Sequence, residues 1–238
     1  MIIPEIKALT FDVGGTVFDW RGAIESEIQL LSNEQGIEVD ARQFATDWRV
    51  RMFQELELVK SGDLPRMNAD GLHRRVLDEA LKTHHSLKLL VAERDELNQV
   101  WHRMKTWPDA VDAIHKLRKV YTTTVLTVLS YSIVVDCSKQ NGLSWDGIMS
   151  GEFMDHYKKD PEAYRQGAKL LGLRPDEVMM VATHAADLMG AKTAGLKTAY
   201  IHVEEEWIDV FPTPEPVHPL DEFDVSAHSW GELVEKLT

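Results

Sequence analysis

Cysteine is almost absent: the 238-residue chain holds one, Cys137. That excludes an intramolecular disulfide and a cysteine-rich zinc site, and fits a reducing compartment. Long apolar runs are missing as well. No stretch reaches the ~18 apolar residues of a membrane span, and the opening MIIPEIKA lacks the basic flank and long apolar segment of a secretory leader. A soluble cytoplasmic protein is expected. Positive charge is in deficit, with 26 Lys and Arg against 39 Asp and Glu and a net charge of -13. This disfavours nucleic acid or an acidic membrane as the main partner. Metal-binding spacings are also lacking. The adjacent His84 and His85 do not share a helix face and no HExxH pattern occurs, so no metal or other cofactor is expected. GGT is too short for a phosphate loop, and Cys137, in a helical stretch without an evident base, reads as a packed thiol.

What is present is an ordered succession of strands and helices. IKALTFDV (residues 6–13) alternates little and is mostly apolar, as a strand covered on both faces of a parallel sheet reads. A helical block follows. Residues 21–36 carry Ile24, Ile28 and Leu31 in helical phase and stop at Gly36. Asp40 and Gln43 suggest a capping box ahead of the stripe Phe44, Trp48 and Met52. GLHRRVLDEALK places Leu72, Val76 and Ala80 on one face, and residues 91–104 read as a fourth helix. Strands return at YTTTVLTVL (121–129), EVMMVAT (177–183) and LKTAYIHV (196–203), with helices at 108–119 and 187–195. The pattern is α/β: a Rossmann-like parallel sheet from residues 1–19 and 108–238, with a helical cap, 20–107, inserted after the first strand. The proline-rich segment 211–220 reads as a loop or arm, and EEE at 204–206 as a solvated loop.

Polar residues gather at the strand ends. Asp12 closes the first strand, Ser130 follows the second, Lys158 lies in YKKDPEAY, and His184 and Asp187 follow the third. Each has an ordinary explanation alone: a turn aspartate, a helix N-cap, a solvated lysine, a carboxylate on a helix dipole. Together on one sheet edge they form a catalytic arrangement, in which one carboxylate attacks, the lysine neutralises charge and the second carboxylate orients the lysine and a water.

The segments FDVGGTVFDW, TVLSYS, YKKDPEAY and ATHAAD, in that order and with a helical cap between the first two, resemble the four motifs of the haloacid dehalogenase superfamily. The resemblance spans nearly the whole chain and is closest to the type II branch of 2-haloacid dehalogenases. It implies Asp12 as nucleophile, Thr16 positioning it, Arg49 of DWRVR reaching in from the cap, and Tyr164 beside Lys158. The phosphatases of the superfamily place an acid two residues after the nucleophile; here that residue is Gly14. One of their metal-binding acidic positions is here Thr183, so phosphoryl transfer is disfavoured. Displacement at carbon needs no such acid, because a halide leaves as a stable anion. On this reading Ser130 and Lys158 hold the substrate carboxylate or the nucleophile, and the product is a 2-hydroxy acid.

Departures from that branch are Gly14 in place of an aromatic residue, Tyr131 and His184 in place of asparagines, Ala186 in place of tryptophan and Ala182 in place of serine. They imply a reshaped pocket. His184 then serves as a hydrogen-bonding substitute or as a base for the water. A ring-opening azetidine-2-carboxylate hydrolase is the alternative, with Trp20, Trp48 and Tyr131 offering aromatic faces to the cation; ordinary cap packing is the other explanation for the two tryptophans. A non-catalytic binding module is the third reading. The partners expected are a small carboxylic acid and, by family habit, a second copy in a homodimer.

Overall fold

The computed structural model describes residues 5–207 and 220–238. Its first strand, β1 (Ala8–Phe11), is buried along its whole length. The chain then forms β2 (Phe18–Asp19) and enters four helices: α1 (Trp20–Gln35), α2 (Ala41–Ser61), α3 (Ala69–Thr83) and α4 (Val91–Asn98). It returns through β3 (Lys105–Thr106), which pairs antiparallel with β2, so this ribbon carries the chain both into and out of the helical insertion. Strands and helices then alternate: α5 (Ala110–Leu117), β4 (Thr122–Thr127), α6 (Tyr131–Asn141), β5 (Gly147–Ser150), α7 (Pro161–Leu170), β6 (Val178–Ala182), α8 (Ala185–Ala194), β7 (Lys197–Ile201), the single turn α9 (Glu204–Trp207), β8 (Val225–Ala227) and α10 (Trp230–Leu237). Among the described residues no helix is long and apolar enough to cross a membrane.

The main sheet is parallel, in the order β5-β4-β1-β6-β7-β8. β1 is therefore central, and the chain runs outward from it in opposite directions on its two sides. Such a reversal opens a crevice at the carboxyl ends of the strands, where sheets of this kind bind ligands.

Local chemistry explains the helical block. The Asp19 carboxylate accepts from Gly22 N at 2.7 Å to start α1, and Gly36, at φ 63°, ends it. Asp40 accepts from Gln43 N at 2.9 Å to start α2. The expected capping box is not closed, because the Gln43 amide reaches on to Asp47 instead. Ile24, Ile28, Phe44, Trp48, Met52, Leu72, Val76 and Ala80 all enter one core, each large side chain contributing about 1.5–3 kcal/mol relative to exposure.

Two expectations need correction, and a third falls outside what the structure describes. Residues 91–104 are not one helix: α4 ends at Asn98 and a 3-10 turn spans Gln99–His102, where Val100, Trp101 and Met104 must all turn into the core before β3. β5 and β8 were not expected, being too short for a periodic signal. Of the segment 211–220, residues 211–219 lie outside the described residues.

Candidate active site

Asp12 is the first residue beyond β1, and its N–H still donates to Val181 O at 3.0 Å, so the sheet sets its position. Three side chains converge on its carboxylate. Thr16 Oγ1 donates to Oδ2 at 2.8 Å, Lys158 Nζ donates to Oδ1 at 2.7 Å, and His184 Nδ1 lies 3.2 Å from Oδ2. Thr16 Oγ1 accepts from Thr183 N at 3.1 Å, which leaves its proton directed at Asp12. Lys158 also donates to Asp187 Oδ2 at 2.6 Å, and the buried Tyr164 hydroxyl donates to Asp187 Oδ1. The ends of three strands, β1, β5 and β6, thus meet at one carboxylate.

These contacts set the charge state. Burial works against an Asp12 carboxylate, but Lys158 and His184 outweigh it and hold the group well below the usual carboxylate range. Burial likewise opposes the His184 imidazolium, yet its hydrogen bonds to Asp12 and Glu206, and their charges, raise it to about 10. Burial lowers the Lys158 ammonium, but Asp12 and Asp187 more than compensate and the net shift is upward. Asp187 moves up, through burial and the neighbouring Asp12 charge, against the pull of Lys158. Two carboxylates that share one lysine are thereby pushed in opposite directions.

A cavity of about 540 Å³ opens over Asp12, between α2 and the strand ends, with Arg49 and Phe53 on one side and Gly14, Lys158 and His184 on the other. Arg49 is 4% exposed. Its guanidinium lies 5.1 Å from the Trp20 ring and 4.6 Å from the Phe53 ring. Nε and Nη1 have no hydrogen-bond partner among the described residues. A buried cation with unused donors is costly, and an anion is its natural complement. Gly14 makes room for it: a Cβ there would lie 3.2 Å from Arg49 Nη2. Gly14→Phe is therefore expected to displace the guanidinium and lower turnover by roughly 10²-fold, read as kcat with the melting temperature as a check on folding.

Other residues singled out in the sequence sit elsewhere. Ser130 occupies the N-cap position of α6 but makes no capping bond; its Oγ accepts from Asp70 N of α3 at 2.9 Å. Trp48 is buried in the helical block, donating to His73 O and packing edge-on against Trp101. Trp20 lies beneath Arg49, stacked on Trp101. Tyr131 is 45% exposed, packs against Phe153 and is not among the cavity residues. Cys137 donates to Trp101 O, and burial pushes its thiol up to about 12.

The acidic run at 204–206 corrects the expectation of a solvated loop. It forms the turn α9, and Glu206 is 2% exposed. Its Oε1 is 3.1 Å from His184 Nε2, and both its oxygens accept from Trp20 Nε1, at 3.0 and 2.9 Å. No local pattern marks Glu206. The one available signal was His184 itself, since an imidazole placed against a buried carboxylate invites a second counter-charge.

A family model for haloacid dehalogenase-like hydrolases matches residues 6–195. (S)-2-haloacid dehalogenase 4A of Burkholderia cepacia is 27% identical over 206 residues, covering 84% of this chain and 85% of the relative. Among solved structures, the L-2-haloacid dehalogenase PA0810 aligns with a TM-score of 0.88 at 31% identity over 98% of each chain. The defluorinating L-2-haloacid dehalogenase Rha0230 aligns with a TM-score of 0.86 at 33% identity, over 98% of this chain and 95% of that one. The chain belongs to the haloacid dehalogenase-like hydrolase family, and the protein is a hydrolase of that superfamily.

Proposed function

We infer that the protein hydrolyses the carbon–halogen bond of a small 2-haloacid through an ester on Asp12. One observation carries the reading: an ionised, fully engaged carboxylate faces, across a cavity, a buried guanidinium with unused donors, and no acid stands at residue 14 to protonate a leaving group. An Asp12 oxygen attacks the α-carbon, the carbon–halogen bond breaks, and the halide departs with the electron pair towards Arg49. Lys158 holds the nucleophile in line. Water then adds to Cγ of the ester, and Asp187, its affinity for protons raised, takes the water's proton. The alkoxide expelled on collapse recovers that proton and leaves as the 2-hydroxy acid.

An azetidinium ring would need aromatic faces for its cation. Arg49 already covers Trp20, Trp48 is committed to the helical block and Tyr131 lies outside the cavity, so the haloacid reading is preferred. The test is chloride release from L-2-chloropropionate by the purified protein, with Asp12→Asn as control. Release that disappears in the control supports the assignment; a folded wild-type protein that releases none overturns it.

A further inference from the structure

Glu206 belongs to none of the four motifs, yet it closes a chain of contacts that begins at the nucleophile. His184 lies between two carboxylates, with Nδ1 towards Asp12 Oδ2 and Nε2 towards Glu206 Oε1. Glu206 is anchored independently of that histidine, by the Trp20 indole on both oxygens and by Arg21 Nη2 donating to its backbone carbonyl at 3.0 Å. Gly15 provides the seat: its φ is 87° and a Cβ there would lie 2.4 Å from Glu206 Oε1.

The geometry has a chemical consequence. Lys158 faces Asp12 Oδ1, while Thr16 and His184 both face Oδ2. Attack through Oδ1 leaves Oδ2 as the ester carbonyl oxygen. When water adds to Cγ and gives its proton to Asp187, the electron pair of the carbonyl bond moves onto Oδ2, which becomes an oxyanion. Thr16 supplies one donor to it. His184 supplies a second when Nδ1 carries a proton: the imidazolium does so while still donating to Glu206, whereas the neutral tautomer that donates to Glu206 turns a lone pair towards Oδ2.

We propose that Glu206 is a positioning residue that keeps His184 an imidazolium after Asp12 has been esterified, so that His184 donates to the oxyanion on Oδ2 during ester hydrolysis. This rests on the aspartyl-ester reading above. In the resting site Asp12 and Glu206 share the task of countering the imidazolium. Alkylation removes the Asp12 charge at the step before the donor is needed, while Glu206 keeps its carboxylate against Nε2. Among the described residues, the other charged groups that touch or act on the two carboxylate partners of His184 are Lys158 from the loop ahead of α7, Arg49 from α2, Arg21 from α1 and, through Lys158, Asp187 from α8. Burial opposes the imidazolium, so the remaining carboxylate has to offset it. Collapse of the tetrahedral adduct restores the Cγ carbonyl, expels the substrate alkoxide with the proton from Asp187, and leaves a protonated Asp12 that releases its proton to water.

The variant Glu206→Gln keeps an acceptor for Trp20 and removes the charge. With L-2-chloropropionate in rapid-quench experiments it should release one chloride per site at close to the wild-type rate and then stall. Intact-mass measurement should find the ester accumulating, with steady-state turnover down roughly 10²-fold at pH 8. The deficit should shrink as pH falls from 8 towards about 5, since the variant's buried His184, without its counter-charges, takes up its proton only at lower pH, whereas wild type should vary little over that interval. His184→Asn, which offers a neutral donor at every pH, should also accumulate ester, with no such pH dependence, and adding Glu206→Gln to it should cost nothing further. This pair carries the test if the single Glu206 variant fails to fold. A Glu206→Gln enzyme with an unchanged pH profile overturns the proposal, as does one that loses the chloride burst or one whose turnover rises with pH, the mark of a neutral histidine base. Absence of a burst in wild type would overturn the haloacid reading instead.

Discussion

Asp12→Asn is expected to lower halide release by at least about 10⁴-fold, because the residual function of a site that loses its covalent nucleophile comes from binding and electrostatics alone. The amide side chain is isosteric and leaves Lys158 paired with Asp187 and His184 in contact with Glu206, so the fold should survive. The stability profile should change in a defined direction. Burial opposes the wild-type Asp12 charge, but Lys158 and His184 hold its folded pKa below the unfolded value of 3.8. Its contribution is therefore present above that value and lost as pH falls towards the folded pKa. The stability gap between wild type and Asp12→Asn should be widest near neutral pH and narrow below about pH 4. Chloride assays and urea denaturation at pH 7 and pH 3 measure both halves. Chloride release that persists in a verified Asn variant would remove Asp12 as nucleophile.

Lys158→Met should produce the opposite pH behaviour. Lys158 Nζ is shared by Asp12 and Asp187 at 2.7 and 2.6 Å, and all three side chains are nearly inaccessible to water. Removing the cation leaves two buried carboxylates facing one another, a change expected to cost about 3–5 kcal/mol at neutral pH. Burial and mutual repulsion then raise the folded pKa of one carboxylate above its unfolded value. The sign follows: that group favours folding below the unfolded pKa, and the benefit is lost as pH rises through the folded pKa. The variant should therefore be relatively more stable at pH 5 than at pH 8, while the Asp12 contribution makes wild type acid-sensitive. Urea midpoints at the two pH values decide it, and a variant whose pH slope matches wild type would show that Lys158 does not neutralise the pair.

Much of the fold could be read locally. The mostly apolar stretch at residues 6–13 marks a strand covered on both faces, and β1 lies between β4 and β6 at the centre of the sheet. Periodicity placed Ile24, Ile28, Phe44, Trp48 and Met52 on inward faces because a long amphipathic helix repeats its signal over several turns. The strands β5 and β8 escaped because a segment of three or four residues offers too few positions to display a period. Asp12, Lys158 and Asp187 were legible through their order at strand ends and Thr16 through the family resemblance, and they meet within hydrogen-bonding distance.

The sequence by itself determined the α/β class, the helical insertion between the first two long strands and the identity of the carboxylate at the central strand's end, since these follow from apolar runs, helical phase and motif order. The tertiary structure alone decided which side chains meet. It gave Ser130 to the backbone of Asp70, placed Arg49 against Gly14, buried Trp48 in the helical block and set Trp20 between Trp101 and Glu206. It also brought Glu206, from a run that reads as solvent-facing, to the far side of His184. Such pairings join elements distant along the chain and leave no periodic trace in composition; they are set by strand order and by how α2 and α9 approach the sheet edge.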